Sequence, residues 1–392
     1  MKRGCGNVNT YYNFTKCDNK TGPGIVGGLA CNVDESVPGQ NADISNVRTG
    51  LLPAFLSVSG KTRQNDLDIG FTISLQPGTS TAGALRTTDQ ENRQTFLTVG
   101  DSSWGSIKLG RDLGLFGADA ILSDVTLLGT GSSFAGGNYR TGSNQGGARG
   151  ATSSGTSLGR IGIGYLYADW VAQVSYTSPN WNGFSFAVAA VEPYQTTASG
   201  TDAFSGVQGD YSSPGFQGKV GYEFTGDVTG KVWSSFWTQE VDGINTQLNG
   251  VQDYRATIVD IGGKIAFSGI ELLAYYYDGR GAGTTGFLVL SHDANGRKRD
   301  SDGGYLQAAY KLPGIGTKLA VSYGESNLDA NAVDANTNLV SKNSSWVFGA
   351  YHPLTKSLNL VAEYVRTKSE TDNGPARSVE EDNISLGAIL FF

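Results

Sequence analysis

Apolar and polar residues alternate one for one along most of this chain. Leu67, Ile69, Phe71, Ile73 and Leu75 are interleaved with Asp68, Gly70, Thr72, Ser74 and Gln76. The same period runs through Phe216, Val220, Tyr222 and Phe224, through Leu306, Ala308, Tyr310 and Leu312, and through Leu358, Leu360, Ala362 and Tyr364. A period of two marks a β-strand with one apolar and one polar face. Sixteen such strands are predicted, over 7–16, 49–64, 67–77, 92–101, 105–113, 168–178, 183–194, 214–225, 230–241, 254–267, 270–281, 303–312, 317–327, 344–354, 357–370 and 383–392. An even number suits a closed antiparallel barrel.

The links between strands alternate in length. Short ones are 65–66, 102–104, 179–182, 226–229, 268–269, 313–316 and 354–356; between them come 17–48, 78–91, 114–167, 195–213, 242–253, 282–302, 328–343 and 371–382. A soluble sandwich has no reason to keep every second loop short, whereas an outer-membrane barrel has tight turns at one end and long loops at the other. The last strand ends with Leu386, Ala388, Leu390 and Phe392 on one face. A terminal aromatic suits a strand that meets lipid at a membrane interface. No apolar run reaches the length of a membrane helix, which a barrel does not need.

Composition agrees with an all-β chain: 56 Gly, 18 Tyr, 17 Phe and 6 Trp stand against one Met. Aromatics favour strands, and glycine is tolerated at their bends. The net charge of −7 makes nucleic acid an unsuitable partner, since no basic stripe is available to meet phosphates. Of the cysteines, Cys17 and Cys31 could close a short loop in an oxidising compartment, leaving Cys5 unpaired, although thiols at this spacing also stay free. No apolar signal-peptide core precedes the first strand, so an exported chain would be a processed form.

The link at 114–167 is long enough to carry function. Its first half, Leu115–Leu128, is apolar enough to fold and pack inside the barrel; its second half, Gly136–Gly147, is rich in Gly, Ser and Asn.

Several segments in order resemble the Gram-negative general porins, the trimeric sixteen-stranded diffusion channels. They are Trp104-Gly-Ser-Ile-Lys-Leu-Gly-Arg-Asp112 before the long loop, Tyr176-Thr-Ser-Pro-Asn-Trp-Asn-Gly-Phe184, Gly304-Tyr-Leu-Gln-Ala-Ala-Tyr-Lys-Leu-Pro313, Tyr351–Tyr364 and the terminal Phe392. The resemblance implies one transmembrane barrel over 1–392, a third loop folded into the lumen, a homotrimer in the bacterial outer membrane and contact with lipid and lipopolysaccharide. It also implies an eyelet in which loop acids face wall cations, a field that orients dipolar solutes and sets ion preference. On that pattern Arg111 matches the wall arginine, Asp124 the first loop acid, and Asp119 lies nearby; Phe392 matches the assembly signal. Two departures stand out: Leu128 occupies the place of a second loop acid, and Ala54–Val58 lacks a mid-strand arginine.

Alternation alone adds Lys108 as a further eyelet candidate and Lys219, Lys264 and Lys311 as lumen lysines, with Lys61 and Arg63 lower in the pore near a short turn. Tyr310, Tyr323, Tyr351 and Tyr364 are read as an outer aromatic girdle, the alternative being contact with a neighbouring protomer. Other motifs fail. Gly22–Gly27 fits G-x-G-x-x-G without the βαβ unit it needs, and Gly60-Lys-Thr62 lacks the first glycine of a phosphate loop. The run from Asp293 has Arg297 where a calcium ligand belongs, so no metal is expected. His292 beside Asp293 has no placed nucleophile, so neither catalysis nor a cofactor is expected. The expected function is passive passage of ions and small hydrophilic solutes; the alternative is a channel whose lumen binds one solute class saturably.

Overall fold

In a computed structural model, residues 2–18, 24–33, 35, 41–78, 90–131, 156–194, 212–246, 250–293, 295–332, 334 and 337–392 are described. They form a closed barrel of 16 antiparallel strands. In chain order these are β1 (Lys2–Cys17), β2 (Asp43–Arg48 and Phe55–Gln64), β3 (Leu67–Pro77), β4 (Gln90–Glu91 and Thr95–Asp101), β5 (Gly105–Leu113), β6 (Trp170–Thr177), β7 (Phe184–Val191) and β8 (Gly215–Phe224). The second half runs β9 (Thr229–Thr246), β10 (Gly250–Phe267), β11 (Ile270–Arg280), β12 (Asp300–Lys311), β13 (Lys318–Asp329), β14 (Lys342–Pro353), β15 (Leu358–Thr371) and β16 (Arg377–Phe391). Each strand pairs with its sequence neighbours, and β1 closes the ring by pairing β16 from Asn7↔Phe391 to Cys17↔Glu381. Phe392 and Gly6 exchange backbone hydrogen bonds at 3.0 Å, which completes the seam at the short-turn end.

The alternation in the sequence becomes two faces. Leu306, Ile261, Leu386 and Val174 are more than half exposed on the outside, whereas Trp237, Tyr277 and Tyr305 are buried on the inside. An outer face of this kind is stable where hydrocarbon replaces water. Two-residue turns such as Asn65-Asp66 (φ 50° and 62°) have the left-handed backbone that matches strand twist.

Strand β2 is not continuous over 49–64 as the period suggested. It breaks after Arg48 and resumes at Phe55. Pro53 has no amide hydrogen to give the ladder. The side chains of Asn7 and Asn9 donate to the carbonyls of Pro53 and Leu52 at 2.9 Å, and Gly50 donates to Asn9. The break lets the long loop dock on the wall: Leu51 N donates to Gly129 O at 2.9 Å.

A second correction concerns Tyr351. Trp346 and Phe348 hold the outer face of β14, so position 351 faces inward; it is buried and donates to Glu363. Tyr310 and Tyr364 do lie exposed on the outside, and Tyr323 packs against Trp346 at 4.8 Å.

The largest buried cluster lies inside the barrel, where the loops fold in. Phe116, Ile163, Tyr165 and Leu166 of the long loop pack on Trp237, Tyr275 and Tyr305 of the wall. Phe287, from the loop between β11 and β12, stacks on Tyr194 at 4.3 Å. Leu115–Leu128 is thus packed in the lumen as its composition predicted, while Gly136–Gly147 lies outside the described residues.

A disulfide joins Cys17 to Cys31 across 14 positions, with Cα atoms 5.1 Å apart. A loop of this length contributes about 3 kcal/mol in the chain-entropy picture. Cys17→Ser is expected to lower the stability of the refolded barrel by about that amount in a urea titration.

Candidate functional site

The site is the narrow part of the lumen, where the long loop meets the wall. Gln217 Oε1 accepts from the amides of Leu115 and Phe116 at 2.5 and 3.1 Å, which turns the chain inward. Gly117, at φ 71°, then starts the short helix α1 (Ala118–Ser123). Only glycine takes this backbone without strain. Ala118, Ala120 and Ile121 are buried, while Leu122 is 56% exposed.

Asp119 of α1 reaches two wall lysines, Lys219 Nζ at 3.1 Å and Lys231 Nζ at 2.5 Å. Lys231 and Lys264 are direct cross-strand partners. Like charges opposed on a ladder repel, and the Asp119 carboxylate offsets this. Burial raises the Asp119 pKa, but Lys219 and Lys231 outweigh it and hold the carboxyl below its usual range. Lys264 donates to Ser123 Oγ at 3.3 Å at the end of the same helix.

Beyond α1 the loop is held by buried acceptors. Asp124 caps a 3-10 turn (Val125–Leu128), accepting from Thr126 N at 2.9 Å and from Tyr165 Oη at 2.7 Å. Gln307 accepts from Val125 N at 2.7 Å, and Tyr11 donates to Leu128 O at 2.6 Å. Glu363, on β15, accepts from Thr130 N, Gly131 N and Tyr351 Oη at 2.7, 2.9 and 2.5 Å. A Cβ on Gly129 would fall on that carboxylate, so glycine is needed there for space.

The structure therefore brings Asp119, Lys219 and Lys264 together. Lys108 faces inward on β5, paired with Asp112 and over the Phe96 ring at 4.9 Å. Arg111 has Thr95 and Ala172 as cross-strand partners and shares the face of the exposed Ile107 and Leu109, opposite Lys108. Its Nε donates to Trp170 O at 3.1 Å, and Glu91 lies 3.6 Å from its Nη2. Asp124 is 4% exposed and occupied by the bonds above. Lys61 and Arg63 pair across the ladder with Gly70 and Asp68 near the first short turn, where Arg63 binds Asp68 and Asp101 at 3.0 and 2.8 Å. Lys311 is exposed at the short-turn end of β12, opposite Lys318.

Lys231, Glu363 and the buried Arg160 were not picked out from the sequence. Lys231 shares its face with Trp233 and Trp237 while Val232 and Phe236 hold the other, so both faces of β9 read as apolar. A charged residue amid an inward aromatic row was the available signal. Glu363 had a parity signal of its own, alternating with Ala362 and Tyr364.

Among the described residues no group of three His, Cys, Asp or Glu side chains could hold a metal ion. Asp293 Oδ1 accepts from the amides of Asn295 and Arg297, and Oδ2 from Asn331 Nδ2, so the calcium-like run forms a turn satisfied by its own chain.

Neighbouring His292 is buried, which with Arg299 pushes its pKa down from 6.5 to about 4. A released loop would bind a proton in that window and the packed loop would not. Stability gained from packing is then present at neutral pH and lost as pH falls from 6.5 to about 4. Hydrogen exchange of 281–299, corrected for intrinsic rate, should show falling protection across that range, and His292→Gln should flatten the dependence.

Comparison with known proteins places this geometry. Residues 24–372 match the family described as Gram-negative porin. No curated protein gives a sequence match. Among solved structures, the outer membrane channel DcaP of Acinetobacter baumannii is 18% identical with a TM-score of 0.68, over 100% of this chain and 97% of that one. The anion-selective porin from Comamonas acidovorans is 15% identical with a TM-score of 0.62, over 100% and 99%. OmpF of Salmonella typhi, in complex with daunomycin, is 16% identical with a TM-score of 0.61, over 100% and 97%. With the match covering most of its length and a closed barrel narrowed from within, the chain belongs to the Gram-negative porin family and is a channel of the bacterial outer membrane.

Proposed function

We propose that residues 1–392 form one diffusion unit that prefers anions, with the eyelet formed by Asp119, Lys219, Lys231 and Lys264 together with Lys108 and Asp112. The observation that carries this reading is the Asp119 carboxylate shared between two wall lysines. Four lysines then act with three carboxylates, since Lys231 Nζ also lies 3.4 Å from Glu223 Oε1, and an excess of one sign in a low-dielectric passage concentrates the opposite ion. The similar fold of a porin named as anion-selective supports the same direction. Arg111, on the other face of its strand, is left out of this ring, and Asp124 serves to position the loop. Lys61, Arg63 and Lys311 line the periplasmic vestibule below it.

The assembly is read as a homotrimer, in keeping with the trimer form of the similar OmpT of Vibrio cholerae. The outward aliphatic arc of Leu56, Val58, Ile73, Leu97 and Leu109 is suited to a protomer contact. Outward ion pairs at the long-loop end, such as Arg366 with Glu380, would meet lipopolysaccharide. Phe392, exposed on the last strand, is available as an assembly signal. No covalent chemistry is assigned to the channel, and His292 is buried in loop packing.

Planar-bilayer conductance under a salt gradient tests the reading. The reversal potential is expected on the anion side; a value at zero or on the cation side overturns the preference, and absence of steps overturns the pore.

A further inference from the structure

The lumen holds an apolar chamber that ion passage does not account for. Its volume is about 240 Å³. It lies between Ile121, Leu122 and Leu127 of the inward loop, Leu158 and Ile161 of the loop's returning limb, and the wall at the β2 break, Leu51–Pro53. Leu122, at 56% exposure, presents an apolar side chain to open space on a helix whose other face carries Asp119. An exposed leucine lowers its free energy by giving up water to an apolar partner.

The lining also has a polar atom without a partner. Ser157 Oγ is buried and makes no hydrogen bond among the described residues. A buried donor left unmade costs more than a made bond contributes. Arg93, held by Glu91 at 2.9 Å, lies 5.8 Å from the Trp170 ring on the same lining.

We propose that this chamber is a binding site for the apolar body of a small solute whose polar end is an oxygen acceptor. This rests on the reading of the lumen as the path of permeation. An apolar cavity of about 150 Å³ accepts a benzene ring, so there is space here for a ring with one short substituent. Ser157 Oγ supplies a donor to the acceptor end, and Leu51, Leu122, Leu127 and Ile161 cover the body. Solutes of this class then cross in a saturable step, while small ions pass without one.

The test compares sodium acetate, hexanoate and benzoate at equal concentration, which share head group and charge and differ in apolar body. In planar bilayers, block of the chloride current is expected in the order benzoate, hexanoate, acetate. Each methylene removed from water is worth a factor of about four, so benzoate should half-block at a concentration at least about tenfold below acetate. Leu122→Asn, on an exposed position, should weaken benzoate block several-fold relative to the variant's own unblocked chloride current; Ser157→Ala should weaken it as well. Tryptophan fluorescence of the detergent-solubilised protein, titrated with the same acids, reads binding without any current. A saturable change with benzoate that is lost in Trp170→Phe supports the site even if the channel reading fails. Equal responses to acetate and benzoate, or indifference to Leu122→Asn in both measurements, overturn the inference. A chamber already filled by the chain itself would give that second result.

Discussion

Glu363→Ala is expected to raise single-channel conductance and make the open state noisy, with the barrel still folded. The carboxylate is the acceptor for Thr130 N, Gly131 N and Tyr351 Oη, all in a buried region. Removing it leaves three donors unmade, at about 1–3 kcal/mol each. That is a sizeable fraction of what holds one loop segment, where the bonds left nearby are Tyr11 to Leu128 O, Leu51 N to Gly129 O, Gly159 N to Thr130 O and Thr130 Oγ1 with Ser385 Oγ. The strand ladder and the apolar outer face are untouched, so the change should fall on the loop. Glu363→Gln keeps one acceptor oxygen and should lie between wild type and Ala. Conductance and noise identical to wild type in both variants would show that the loop is held elsewhere.

Replacing Lys219, Lys231 and Lys264 together by Gln is expected to carry the reversal potential across zero to the cation side. The three lysines share two carboxylates, Asp119 with Lys219 and Lys231, and Glu223 with Lys231. Once they are neutral, Asp119 remains ionised in a narrow passage with Lys108 already paired to Asp112. The local excess changes sign, and the ratio of anion to cation permeability should fall on the order of tenfold. High salt should shrink the difference, since charges lining water are screened. Asp119→Asn serves as the opposite arm, because it removes the acid and leaves the lysines. A triple variant that keeps its anion preference would move the selective charges to another level of the pore.

The barrel was legible in the sequence because its two solvents are so different. Lipid outside and water inside force alternation on strands such as Leu67–Pro77 and Leu358–Thr371, and each short turn punctuates it. The signal fails where the inside is not watery. Trp233, Trp237 and Tyr275 face a packed loop, so their strands carry apolar residues on both sides and hide Lys231 between them. It fails again at the β2 break, where the apolar positions Leu51 and Leu52 kept the rhythm although Pro53 had removed a ladder donor. The motif that singled out Arg111 carries no parity; on the strand its partners are Thr95 and Ala172, while its guanidinium reaches Glu91 and the Trp170 carbonyl. Asp119 and Lys219 were found by separate arguments, and only the fold shows that they are partners 100 positions apart.

The cystine between Cys17 and Cys31 has a bearing on the order of events during folding. Joining β1 to β16 pairs residues from the two ends of the chain, Asn7 with Phe391, and loop-closure entropy makes such a contact slow. The Cys17–Cys31 loop closes over only 14 positions and can form early. It presents the amide of Cys31, which in the finished barrel donates to Glu381 at 3.0 Å near the long-loop end of β16. A cystine closed before the seam would hold this donor in place for the last strand, so reducing conditions during refolding are expected to slow barrel closure.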